Sequence, residues 1–175
     1  ISSEGLMSDF HSTLNERYNF LTESVKSEEV KGRIIRKNGT ANFYPIWSPD
    51  GKRFAYISNE GYDFLGQTDL HVYVLADSND QVIAKDVFSA PTWSSSMEKI
   101  YYSKKSKADR SGSRWFDLYA YSFPDDVEER LTRGARAFSP IILPGDSLLA
   151  YLATFDGTQN IFLINLNSRK SKQIT

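Results

Sequence analysis

Three evenly spaced prolines constrain this chain more than any other feature. The sequence presents Tyr44-Pro45-Ile46-Trp47, Ala90-Pro91-Thr92-Trp93 and Ser139-Pro140-Ile141-Ile142, so the proline recurs at about 46 to 49 residues. After each opening come a turn, an apolar run, a loop, a second apolar run and a short last segment. Four strand-like segments per period of about 45 residues describe a β-propeller blade. The expectation is an all-β chain of about three blades, each a four-stranded antiparallel sheet, preceded by one amphipathic α-helix.

The blades fall near residues 40–86, 87–133 and 135–175. In the first, strands are expected over Asn42 to Trp47, Arg53 to Ser58, Leu70 to Leu75 and Val82 to Lys85. Its first turn, Ser48-Pro49-Asp50-Gly51, pairs a proline that presets φ with a glycine that accepts positive φ. The second blade carries Ser94-Ser95-Ser96-Met97 in that place, a decayed turn whose hydroxyls can supply the local hydrogen bonds. The third carries Leu143-Pro144-Gly145-Asp146. Trp47 and Trp93 sit where inner strands meet turns and are assigned to packing between blades.

Residues 1–31 form a separate segment, and the propeller part runs over 32–175. Leu6, Phe10, Leu14, Tyr18, Leu21 and Val25 recur at steps of three and four, one face of a helix. Ser2 or Ser3 could cap its start and Gly32 its end. That stripe calls for burial on the propeller or on another domain. The polar face mixes both signs, which argues against a lipid surface. The segment 33–37 resembles the end of a blade and is expected to be the outer strand of a further blade. Such a strand closes a propeller by joining its first blade to its last. The start at Ile1 suggests a processed or truncated chain.

Lys and Arg total 21 against 22 Asp and Glu, so no global field points to nucleic acid. Cysteine is absent, which removes disulfides, thiolate metal sites and a thiol nucleophile. No apolar run nears the ~20 residues that span a bilayer, so no membrane insertion by a helix is expected.

The run from Tyr44 through Ser48-Pro49-Asp50-Gly51 to Phe54-Ala55-Tyr56-Ile57 closely resembles the repeat of the TolB-like propeller family. So do Asp117-Leu118-Tyr119 and Arg130-Leu131-Thr132. The resemblance covers roughly residues 33–175. It implies a periplasmic or secreted bacterial protein whose propeller is a docking platform. The helix leading to Gly61-Tyr62-Asp63-Phe64 and Gln67-Thr68-Asp69-Leu70 also looks like envelope proteins that place such a propeller after a gluzincin-type peptidase domain. The HExxH metal sequence is absent here, so that resemblance implies no peptidase activity, and no metal or other cofactor is expected.

Chemistry-bearing motifs are sparse. His11 and His71 lack a second histidine at ligand spacing and read as a surface and a strand histidine. No Gly-x-Ser-x-Gly elbow exposes a serine nucleophile. Asp125, Asp126, Glu128 and Glu129 lack the alternation of a calcium loop and read as a solvated hairpin.

Topology places a binding face instead. Loops joining one blade to the next, and loops between second and third strands, gather at one mouth of the channel. The longest, residues 104–116, combines Arg110, Arg114 and Trp115; the neighbouring segment adds Arg133 and Arg136. Arginine with tryptophan is the pairing enriched at protein interfaces. Asp63 and Gln67 in the blade-one loop complete the candidate partner-binding set. The expected function is non-catalytic binding of a protein or peptide. The alternative is an accessory propeller of a larger peptidase whose catalytic residues lie outside this chain. Three blades do not close a ring, so a homodimer that closes it is a third expectation.

Overall fold

The computed structural model describes residues 2–175; Ile1, with the reading placed on it, lies outside the described residues. The chain divides into a unit ending at Lys37 and a second unit, Asn38–Thr175. The first contains one helix, α1 (Ser3–Ser27), whose N-terminal amides begin on the Ser2 hydroxyl, which accepts from the Gly5 N–H at 3.1 Å. Its apolar stripe is exposed, Phe10 by 56% and Val25 by 73%. Residues 33–37, expected as an outer strand, run as irregular chain. Each sheet already has an outer strand of its own, so no third strand is left among the described residues for this segment to join.

The second unit holds three antiparallel four-stranded sheets. Blade one comprises β1 (Asn42–Trp47), β2 (Arg53–Ser58), β3 (Asp69–Val74) and β4 (Asp80–Ala84). Blade two comprises β5 (Thr92–Trp93), β6 (Lys99–Lys105), β7 (Phe116–Ser122) and β8 (Val127–Arg130). Blade three comprises β9 (Ala137–Ile142), β10 (Leu148–Phe155), β11 (Thr158–Asn165) and β12 (Ser171–Gln173). Every strand lies within a few residues of its expected place, and order follows sequence in each sheet. The recurrent proline has a physical reason. Inner strands form the sheet edge, where a missing N–H breaks no ladder, and Pro45 and Pro140 sit at bulges where the register with β2 and β10 shifts.

Blade two shows why its strands are apolar on both faces. Ile100 and Tyr102 of β6, with Tyr119 and Tyr121 of β7, pack with Ala55, Ile57, Leu70 and Val72 of blade one. The alternate residues Tyr101, Leu118 and Ala120 pack with Leu149, Tyr151, Phe162 and Ile164 of blade three. A strand alternates its side chains between faces, so a middle blade must be apolar at both phases.

Polar ties between inner strands repeat at the same period. The Ser139 N–H donates to the Ser89 hydroxyl at 3.1 Å, and the Trp93 indole donates to the Ile46 carbonyl at 3.2 Å. Trp93 is 5% exposed and stacks on Phe123 with Arg53 above it, as interblade packing requires. Trp47 corrects the parallel assignment. It is 54% exposed and meets only the edge of Phe54 among ring contacts, because its face of blade one looks away from blade two.

The decayed turn keeps the hydrogen bonding of the intact one. In blade one the Ser48 hydroxyl accepts from the Arg53 N–H at 3.0 Å and Gly51 takes φ 67°. In blade two the Ser94 hydroxyl accepts from the Lys99 N–H at 3.0 Å and Met97 takes φ 62°. A side chain in that left-handed conformation costs about 1–2 kcal/mol. Met97→Gly is therefore expected to raise stability by about 0.5–1 kcal/mol after the entropic cost of glycine, read as a rise in thermal midpoint. An unchanged or lower midpoint would show that the methionine side chain offsets the strain.

Candidate functional site

A polar residue stands at or near the start of the third strand of each blade: Asp69 first in β3, Asp117 second in β7 and Asn160 third in β11. Asp117 is fully buried and gathers four donors. Arg130 donates at 2.5 Å, the Thr132 hydroxyl at 2.8 Å, and the Gly134 and Ala135 N–H groups at 3.0 Å each. Asp69 does the same work with fewer partners, accepting from the Asp86 N–H at 3.2 Å and the Tyr62 hydroxyl at 2.9 Å. These carboxylates clamp the segment that crosses to the next blade. They explain why an aspartate stands near the start of that strand, and they hold residues 133–136 still.

On that clamped segment the structure brings two of the candidate residues together. The Arg136 guanidinium lies 4.6 Å from the centre of the Trp115 ring, a cation–π distance. Asp109 fixes the other edge of the ring, accepting from the indole N–H at 3.1 Å. Trp115 and Arg136 line an open cleft of about 380 Å³ with Gly134 and the β10–β11 hairpin, Thr154, Phe155, Asp156 and Gly157. Phe155 is half-exposed. An aromatic pair with an arginine, held from behind, presents apolar area and one charge to a ligand without ordering anything further.

The other candidates lie apart. Arg114 points to Asp86 at 2.5 Å and donates to the Ser106 carbonyl at 3.0 Å. Arg110 and Arg133 are exposed, and Asp63 and Gln67 are exposed in the separate blade-one loop. Residues 154–157 were not singled out from sequence. The hairpin is short and ordinary in composition, and only the packing of blade three on blade two brings it against Trp115.

The loop carrying Trp115 is organised by one carboxylate. The Ser111 hydroxyl, the Ser113 N–H and the Trp115 indole all donate to Asp109 and hold its pKa down at about 2, from 3.8. A depressed carboxyl contributes its stabilisation above the unfolded value and loses it as pH falls through the folded one. The Trp115 indole N–H resonance is therefore expected to hold its position from neutral pH to about pH 4, then move as pH approaches 2. In Asp109→Asn that late movement disappears; a resonance that shifts near pH 4 in the wild type would show the carboxylate is not held.

Elsewhere the polar clusters are internally engaged. Asp125, Asp126, Glu128 and Glu129 accept separately from Ser122, Tyr121, Tyr102 and Arg169. His71 is buried, with Nδ1 3.2 Å from Asp80, which also accepts from the Tyr56 hydroxyl at 2.9 Å. Glu60 brings a third ligand-type atom within 4.8 Å of these, and it accepts from the Asn38 amide at 2.7 Å. The expectation of a plain strand histidine had not foreseen this grouping, because the three residues are separated in sequence. His11 is exposed on α1, edge-on to Phe10.

No family model matches the sequence, and no curated protein matches it. Solved structures do. TolB from Acinetobacter baumannii superposes with a TM-score of 0.59 at 18% identity, over 77% of this chain and 32% of that one. A puromycin-hydrolyzing peptidase of Mycobacterium tuberculosis gives 0.63 at 16%, over 81% and 23%. The β-propeller domain of the Trilobed protease from Pyrococcus furiosus, described as having an open velcro topology, gives 0.55 at 12%, over 71% and 40%. The chain thus spans less than half the length of each. The likeness is one of fold: these are β-propeller blades, an architecture that TolB and several peptidases share.

Proposed function

We propose that this chain is a non-catalytic propeller platform of a bacterial envelope or secreted protein, binding a protein or peptide segment at its loop face. The observation that carries the reading is the Trp115–Arg136 pair, fixed by Asp109 and Asp117 at the head of an open cleft. The envelope setting rests on the resemblance of the repeat to TolB-like propellers. Peptides selected from a random phage-displayed library against the wild-type protein are the probe. Trp115→Ala is expected to weaken the best of them by about thirtyfold, the cost of losing an interface anchor, with thermal stability retained. Selected peptides that bind Trp115→Ala as well as the wild type would overturn the proposal.

A second reading is favoured by the peptidase structures among the similar folds: a propeller that gates or docks substrate for a larger peptidase. An immunoblot of the native product separates the two, since a catalytic domain adds mass to the band. The homodimer has its own support. Ile141 of blade three and Trp47 of blade one are exposed by 60% and 54%, so apolar side chains face outward from the two end blades. Light scattering behind a sizing column distinguishes a monomer from a dimer.

A further inference from the structure

Arg114, the neighbour of Trp115, lines a different cleft at the seam between blades one and two. Lys85, Lys104, Lys105, Lys107, Arg114 and Arg130 surround about 370 Å³, with Asp86 and Glu128 as carboxylates in the same wall. Three of the six cations are matched. Arg114 pairs with Asp86 at 2.5 Å, Lys104 with Glu128 at 2.6 Å and Arg130 with Asp117 at 2.5 Å.

Lys85, Lys105 and Lys107 have no carboxylate partner among the described residues. The Lys105 ammonium lies 4.9 Å from the centre of the Phe88 ring and 5.5 Å from that of Phe116, which positions its charge without neutralising it. Lys85 and Lys107 are exposed at the two sides of the seam. The crossover brings them together: the Lys105 N–H donates to the Asp86 carbonyl at 3.2 Å, and Val87 bridges Lys104. In a chain of net charge −1, this is a local surplus of positive charge in a concave wall, where the field is focused.

We propose that the seam cleft binds an acidic peptide segment, its Asp or Glu carboxylates engaging Lys85, Lys105 and Lys107. This surface is separate from the Trp115 cleft and does not depend on it. The wall itself selects a peptide over a nucleic acid. Asp86 and Glu128 would face a continuous phosphate backbone at every register, whereas spaced carboxylates can sit on the lysines and leave those positions empty. Lysine ammonium groups are compact point charges suited to single carboxylates.

The test is fluorescence anisotropy with a labelled Glu-Gly repeat peptide, its Lys-Gly counterpart and a short oligothymidine. The Glu-Gly peptide is expected to bind, to weaken as salt rises from about 0.05 to about 0.5 M, and to lose at least about tenfold in affinity in Lys85→Glu/Lys107→Glu. Both lysines are exposed, so folding is retained and is checked by circular dichroism. Lys170→Glu, exposed on blade three, is expected to leave this binding unchanged. Three results would each overturn the proposal: no binding at low salt, equal binding by the double variant, or tighter binding of the oligothymidine.

Discussion

Asp117→Ala is expected to destabilise the propeller unit by about 3–5 kcal/mol, the cost of stripping a buried charge network of its central member. The carboxylate is fully buried, and its loss strips the acceptor from Arg130 Nη2, the Thr132 hydroxyl and two backbone N–H groups, the guanidinium keeping only its bond from Nε to the Thr132 carbonyl. That is a large fraction of the 5–15 kcal/mol typical of a folded domain. Asp69→Ala removes fewer donors and is expected to cost about 1–2 kcal/mol, close to two ordinary hydrogen bonds. Urea unfolding followed by circular dichroism gives both numbers. Equal losses at the two sites would mean the aspartates are valued for something other than the donors they gather. Because Asp117 holds Gly134 and Ala135, the variant should also release Arg136 from Trp115 and weaken peptide binding.

The second large effect lies in the seam between blades one and two. Trp93→Ala is expected to cost about 3–5 kcal/mol, the range for removing a buried tryptophan or phenylalanine. The ring is 5% exposed, stacks 5.4 Å from Phe123, carries Arg53 at 5.0 Å and donates to Ile46 of the neighbouring blade. Trp47→Ala serves as the internal comparison. With half its surface already in solvent, it should cost about 2 kcal/mol by apolar area. If Trp47→Ala proved as damaging as Trp93→Ala, the outward face of blade one would be covered in solution by a further blade or a second copy.

These contrasts show how far the sequence was legible. The proline period and the alternation of apolar residues located all three blades, because both report local rules: where a missing N–H is tolerated, and which face of a strand is buried. The serine turn at 94–97 was readable for the same reason, since a hydroxyl can replace the intact turn's side chains within the same loop. Legibility ended where one blade meets another. Trp47 and Trp93 occupy equivalent places in the repeat, and only the order of the blades makes one buried and the other half-exposed.

The candidate binding face divided along the same line. Trp115 and Arg136 were identifiable because loop position and residue type are local properties. Their partners Phe155 and Asp156 come from another blade and carry no signal of their own. Lys85 lies about twenty residues before the lysines it joins, brought to them by a crossover whose path depends on the Asp69 and Thr68 hydrogen bonds to residues 86 and 87. The segment 33–37 resembles the blade ends at 129–134 and 172–175 and was expected to complete a further blade; it runs as irregular chain where no strand of such a blade lies among the described residues to supply the ladder.

Binding of a peptide at the loop face around Trp115 is the proposal on which the platform reading depends. Hydrogen exchange of the protein with and without a library-selected peptide tests it most directly, because amides covered by a ligand exchange more slowly. Protection is expected only in residues 106–116, 133–137 and 154–158, with the outer strands β4, β8 and β12 unchanged. Protection centred on those outer strands, with the Trp115 loop exchanging as before, would contradict it.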